Sequence, residues 1–256
     1  IPIEVIGNLF NIPRERRGPL RDWSLAILGA LEPQLTPEEE ALGNQAVLDF
    51  VAFLQEIVDE RRVNPGNPET DVLTRLIQSE EGQLSAVELY QNCIFILNAG
   101  HETTTNLIGN GLALLHDHPD QLHLLQEQPD LMPRAVEEVL RMASPNQFGN
   151  RETAEVVEIG GVHIPKGTNL HLCIGAANRD PDVFETPGVF DITRKPNRHL
   201  AFAGGPHVCV GLTLARMEGR IAIERFVARF PEYQITNHVQ GGRVRFRGFS
   251  KLNATV

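Results

Sequence analysis

Phe202-Ala203-Gly204-Gly205-Pro206-His207-Val208-Cys209-Val210-Gly211 is the stretch that decides how this chain is read. One cysteine stands in a loop built from three glycines and a proline. Directly behind it, Leu212 to Phe230 is an amphipathic run that predicts a helix. The sulfur therefore sits just before a helix start. There, unpaired backbone N–H groups and the positive end of the helix dipole favour a thiolate over a thiol. Glycines on both sides let the backbone approach a large flat ligand or turn its amides toward the sulfur. A glycine-caged thiolate of this kind suits an iron ligand. A lone cysteine is also a common small buried hydrophobe, and residue identity alone does not separate the two.

With 256 residues the chain can form one large domain or two small ones. A hydrophobic content of 41% with 22% charged residues is that of an ordinary soluble globular protein. Cys93, Cys173 and Cys209 are far apart and odd in number, so no disulfide framework or CxxC zinc pattern can be drawn. This usage predicts a reducing, cytoplasmic setting. Ile1 to Arg17 carries charges and two prolines, and reads as neither a signal peptide nor a membrane anchor. No apolar run reads as long enough to span a bilayer. The net charge of −10 argues against nucleic acid as a partner. Locally, Arg216, Arg220, Arg225 and Arg229 recur behind Cys209, and Arg194, Arg198 and His207 lie just before it. That recurrence fits either a docking patch or a solvated helix face.

Residues 1 to 80 read as helices broken by turns. Glu40 to Arg62 is a long amphipathic helix with Val47, Leu48, Val51, Leu54 and Val58 near helical spacing. Val63 to Pro68 is a loop, and Asp71 to Ser79 a short helix. Ser85-Ala86-Val87-Glu88 is a capping box. It predicts a helix running to His118, where Pro119 stops it, a length of roughly 50 Å. The middle of that helix, Ala99-Gly100-His101-Glu102-Thr103-Thr104-Thr105, is badly suited to helix: glycine costs about 1 kcal/mol relative to alanine and the threonines add smaller penalties. Such a weak centre marks a packing notch or a functional one. Pro119 to Gln128 and Pro133 to Met142 are short helices. Val157 to Ile159 and Val162 to Ile164 flank Gly160-Gly161 as a hairpin does. Leu170 to Ile174 is a strand, residues 178 to 201 a structured meander, and Tyr233 to Val256 small strands around Gly241-Gly242. The predicted fold class is mainly α with a minor β part.

The spacing Phe-x-x-Gly-x-His-x-Cys-x-Gly resembles the haem-binding loop of the cytochrome P450 family. One departure is Ala203, where the family more often has Gly or Ser. The resemblance implies haem b (iron protoporphyrin IX) as cofactor, Cys209 as its metal ligand, and Phe202, Gly205, His207 and Gly211 around it. Ala99 to Thr104 resembles the oxygen-binding groove of the family's distal helix. A small residue and a glycine, Ala99 and Gly100, open space there. A threonine hydroxyl can leave its i−4 carbonyl to donate to dioxygen, and a neighbouring carboxylate can relay protons through water. Glu102 and Thr103 stand where the family carries this catalytic acid–alcohol pair. Glu138 and Arg141, three apart, share a helix face; the spacing alone is common. In the family this pair joins an arginine of the meander in a structural lock, for which Arg194 is the candidate. The counterparts of Arg151 and His207 bind haem propionates, a task suited to cationic donors. His199 is a further candidate of that kind. His101 reads as an unassigned helix-surface histidine.

The resemblance is to the soluble bacterial type and covers residues 1–256 as one domain, with the N-terminal portion of the P450 fold absent. Those residues alone are expected not to form a stable holo-enzyme. The implied activity is that of a haem-thiolate monooxygenase, an oxidoreductase that places one atom of O2 in a small organic substrate. Its electrons come from NAD(P)H through a separate ferredoxin or flavodoxin-type donor. Two rivals stand: a peroxide-driven peroxygenase, although those enzymes lack the usual acid–alcohol pair, and a non-catalytic haem or ligand binder. A cysteine-nucleophile hydrolase lacks a credible base. Ser144 to Gly149 and the groove near Asn98 read as pocket lining, but they name no substrate.

Overall fold

The computed structural model describes residues 1–80 and 84–256, in two compact units, Ile1–Thr105 and Asn106–Val256. The first unit holds helices α1 (Pro2–Leu9), α2 (Leu20–Gly29), α3 (Pro37–Val63), α4 (Val72–Glu80) and α5 (Ala86–Ala99). Thr36 starts α3 one turn earlier than hydrophobic periodicity suggests. Its hydroxyl accepts the Glu39 N–H at 3.2 Å, and the Glu39 carboxylate accepts the Thr36 N–H at 2.8 Å. Glutamates 38 to 40 fill the first turn and Arg61 and Arg62 the last, each sign at the dipole end that favours it. The buried face of α3 is Gly43, Ala46, Phe50, Leu54, Ile57 and Val58. The expected Leu48 falls on the opposite face and Val47 at the edge, and both are exposed. By length and composition alone α3 could cross a membrane. Here its apolar face is spent on a core shared with Phe10, Leu20, Leu73, Leu89 and Leu97.

Arg17 ties the chain between α1 and α2 back onto α1. Its guanidinium donates to the Ile12 carbonyl, to Glu4 and to Asn8. Gly7 makes room for it, since a Cβ there would lie 2.7 Å from Arg17 Nε.

The single helix expected from Ser85 to His118 is two helices. The Ser85–Glu88 capping box opens α5, α5 ends at Ala99, and α6 (Glu102–Asp117) starts after a turn at Gly100 and His101. The His101 N–H reaches back three residues to the Asn98 carbonyl at 3.2 Å instead of four. The Ala99 carbonyl accepts the Thr103 hydroxyl at 2.8 Å. A side-chain donor thus competes for the backbone carbonyl where the glycine has already weakened the helix.

The second unit contains α7 (Pro119–Glu127), α8 (Met132–Met142), the four-residue α9 (Ile174–Ala177) and α10 (Leu212–Arg229). Its core joins Leu107, Leu115, Val136, Val139, Phe190, Ile192, Ile223 and Tyr233. Three two-stranded antiparallel sheets complete it. Strands β1 (Phe148–Glu152) and β4 (Asn169–Cys173) pair with Arg151 opposite Leu170. β2 (Val157–Ile159) and β3 (Val162–Ile164) form the expected hairpin. Gly160 and Gly161 both have positive φ, +59° and +80°, as a tight primed turn requires. β5 (Gln234–Gln240) and β6 (Phe249–Thr255) pair with two register irregularities. The architecture is mainly helical with small sheets.

Candidate active site

The cysteine loop is closed by its own backbone. The Cys209 N–H donates to the Phe202 carbonyl at 2.9 Å, and the Ala203 N–H to the Leu200 carbonyl at 2.8 Å. Between them Gly205–His207 makes a 3₁₀ turn. Two residues take the left-handed conformation, Gly205 at φ +62° and Ala203 at φ +58°. The Cys209 carbonyl accepts the Leu212 N–H, which leads into the 18-residue α10. Cys209 is a free, half-buried thiol. Around it His207 is exposed, and so are the apolar Val208 and Val210, the latter at 95%.

This donor set favours one kind of metal. Among the described residues, no three His, Cys, Asp or Glu side chains lie together to hold a bare ion. A metal on Cys209 must therefore bring its other ligands with it, as iron in a macrocycle does. Exposed valines beside the sulfur give an apolar ring a surface to cover, so the loop fits haem.

Behind the loop lies a buried polar lock. Glu138 and Arg141 are 0% and 1% exposed. Arg141 grips the carboxylate with Nε and Nη2 at 2.8 and 2.7 Å. Its remaining N–H groups go to the carbonyls of Asn178, Pro187 and Val189. Arg194 Nε at 3.2 Å, the Asp191 N–H at 3.0 Å and the Asn197 amide at 3.0 Å complete the shell of Glu138. A buried ion pair is tolerable only when satisfied in this way. Asn178, which the sequence did not flag, links lock and loop. Its carbonyl receives Arg141, its Oδ1 receives the Leu200 N–H at 2.7 Å, and its amide donates to Ser144. Leu200 in turn accepts from Ala203.

A second cluster was also missed. The Glu137 carboxylate takes Arg216 Nε and Nη2 at 2.7 and 2.8 Å and His199 Nε2 at 3.1 Å. The Arg216 guanidinium lies 4.7 Å from the centroid of the Phe202 ring. Burial alone would raise the Glu137 carboxyl; the hydrogen bonds from His199 and Arg216 outweigh it and hold the group down at about 2. Arg216 is thus paired with Glu137, with its side chain still 39% exposed. The His199 side chain, 2% exposed, is paired likewise rather than open to a propionate. Arg220, Arg225 and Arg229 are exposed. Arg151 lies half-buried on β1, with Nη1 donating to the Asn150 carbonyl at 2.7 Å.

The remaining candidates belong to the first unit. Ala99, Gly100, Glu102 and Thr103 share the break between α5 and α6. Glu102 is buried. Thr103 donates to Ala99, and Thr105 donates to the His101 carbonyl at 2.9 Å. His101 is buried rather than on a helix surface, with Nδ1 3.3 Å from Ser24 Oγ. Burial, with the charge of Arg21 adding to it, lowers its pKa to about 4, so the ring is neutral near pH 7.

A sequence model of the cytochrome P450 family matches residues 31–237. The chain belongs to the cytochrome P450 family. The biotin biosynthesis cytochrome P450 of Bacillus subtilis (strain 168) is 40% identical over 236 residues, covering 91% of this chain and 58% of that protein. The 6-deoxyerythronolide B hydroxylase of Saccharopolyspora erythraea is 41% identical over 231 residues, covering 90% of this chain and 56% of that protein. Among solved structures, P450BioI in complex with acyl carrier protein ligated to hexadec-9Z-enoic acid superposes with a TM-score of 0.94. It is 37% identical, with 99% of this chain and 65% of that chain covered. The P450 chain described here thus spans less than two thirds of the length of these relatives. P450 proteins generally bind haem.

Proposed function

We propose that this chain carries the thiolate and proton-delivery residues of a haem-dependent monooxygenase that oxygenates a small organic substrate. The observation that carries the reading is the Cys209 loop. A free cysteine, pinned through its backbone N–H, stands at the start of a long helix beside exposed valines and before the buried Glu138–Arg141 lock.

Haem, when bound, supplies the dioxygen-activating chemistry. Cys209 holds the iron through its sulfur, with Phe202, Gly205 and Gly211 shaping the loop. Arg151 and His207 offer N–H donors to the two propionate carboxylates. Glu138, Arg141 and Arg194 keep the loop's foundation from shifting. Ala99 and Gly100 leave space, while Thr103 holds a proton on its hydroxyl. Moving that proton toward dioxygen requires the hydroxyl to exchange its Ala99 carbonyl bond for one to a new acceptor, and Glu102 resupplies the proton. The balance is one O2, two electrons and two protons per C–H oxidised, with water as the second product. The electrons come from NAD(P)H through a ferredoxin or flavodoxin-type protein, and the exposed Arg220 and Arg225 offer it a cationic face.

The test is a reduced-plus-CO difference spectrum of the haem-loaded full-length protein, alongside Cys209→Ser. The long-wavelength thiolate-type band is expected for the native chain and its loss for the variant. A band that survives Cys209→Ser refutes the assignment.

A further inference from the structure

We propose that Glu137 is a positioning residue for the thiolate loop. Its carboxylate fixes Arg216 against the Phe202 ring, and through Phe202 it steadies the carbonyl that holds the Cys209 N–H. The inference rests on the reading of Cys209 as the iron ligand.

The geometry runs in one unbroken line. Glu137 stands on α8 and Arg216 on α10, and their contact is a two-pronged fork at 2.7 and 2.8 Å. A fork fixes the plane of a guanidinium as well as its place. That plane lies over Phe202 at 4.7 Å, within the range of a cation–π contact. Phe202 in turn supplies the carbonyl, 2.9 Å from the Cys209 nitrogen, that closes the loop.

His199 adds a third donor with a defined tautomer. The Ala201 N–H donates to His199 Nδ1 at 3.2 Å, so that nitrogen carries no proton. The proton is therefore on Nε2 and points at Glu137. Three N–H donors converge on one carboxylate from α10 and from the segment just before the loop. The Glu138 lock holds the meander and reaches Leu200 through Asn178; the Glu137 cluster holds the sulfur's own turn. Adjacent glutamates on one helix thus serve two supports.

The cluster also places a charge. Hydrogen bonding to Glu137 raises the pKa of Arg216, its own burial opposes this, and Cys209 adds a smaller favourable effect. Glu137 balances the Arg216 cation, whose charge interacts with that of Cys209. Removing the carboxylate's charge leaves that cation uncompensated and favours the more negative, reduced state of a haem-thiolate.

The experiment uses the haem-loaded full-length protein, native and as Glu137→Gln, Glu137→Asp and Arg216→Lys. Glu137→Gln is expected to raise the ferrous-to-ferric ratio about three- to tenfold at a fixed poise, tenfold being 59 mV for one electron. It is also expected to speed several-fold the conversion of the thiolate-type CO complex to the thiol type. Glu137→Asp keeps the charge and is expected to restore most of the potential. Arg216→Lys keeps its charge but loses the fork, and is expected to speed the conversion with little change in potential. A second readout needs no haem. In the haem-free full chain, alkylation of Cys209 relative to the exposed Cys173 is expected to rise about three- to tenfold in both Glu137→Gln and Arg216→Lys. Unchanged potential, conversion and alkylation in these variants, with only a lower melting point, overturns the proposal. If native protein lacks the thiolate-type band but the alkylation ratio rises, the ligand reading fails while the loop support stands.

Discussion

His101 makes the first unit sensitive to acid through one buried ring. Its ordinary pKa of 6.5 falls to about 4 in the folded chain. Between those values the unfolded chain binds a proton that the folded chain refuses. Stability therefore rises with pH across that window, is fully present above 6.5, and is lost as pH falls through about 4. At about 1.36 kcal/mol per pH unit, the full difference is ~3 kcal/mol. His101→Asn isolates it. The asparagine amide can occupy the place of Nδ1 and keep a hydrogen bond to Ser24 Oγ, but it never takes a proton. Trp23, the single tryptophan, precedes Ser24 in α2 and packs 5.2 Å from Phe50 and 5.6 Å from Phe53. Its fluorescence thus reports the unfolding of this unit. Urea titrations at half-unit pH steps from 4 to 8 should show native protein losing stability relative to His101→Asn as pH falls, by up to ~3 kcal/mol. Other acid-sensitive groups cancel in that difference. A native-minus-variant difference that stays level across the window refutes the reasoning.

Three further substitutions probe the site. Glu138→Ala leaves the buried Arg141 without its counter-charge and should cost about 3–5 kcal/mol in urea unfolding of the second unit; a loss below about 1 kcal/mol contradicts a lock of this kind. Ala203→Gly relieves a left-handed alanine, about 1–2 kcal/mol, against about 0.5–1 kcal/mol of added glycine entropy. A net gain near 0.5–1 kcal/mol is expected by thermal melt, and a net loss contradicts it. Thr103→Ala removes the donor to the Ala99 carbonyl and should change stability by no more than about 1.5 kcal/mol. It should also lower product formed per NAD(P)H consumed by the reconstituted protein; unchanged coupling removes Thr103 from proton delivery.

The loop and the first lock were legible because their residues lie close in sequence. Cys209 shares ten positions with its glycines, and Glu138 and Arg141 stand one helical turn apart. What was illegible depends on partners brought from afar. Glu137 meets Arg216 across 79 positions, Asn178 meets Leu200 across 22, and His101 meets Ser24 across 77. No spacing rule carries such pairs, so the distant glutamate that pairs with Arg216 went unseen and a buried histidine looked like a surface one. The helix break shows an intermediate case. Composition located the weak segment, but glycine propensity alone does not break a helix. The break also involves Thr103 competing for the Ala99 carbonyl, and only the folded geometry shows where that hydroxyl goes. β1 escaped for the opposite reason: Phe-Gly-Asn-Arg-Glu has neither β-branched residues nor an apolar alternation, and its strand character comes from pairing with β4. Local chemistry is therefore readable where one short segment must do everything itself. Where a charge is neutralised by another segment, the same letters carry no sign of it. Arg216 and Arg220 illustrate the point, one turn apart on the same helix, the first clamped by Glu137 and the second exposed.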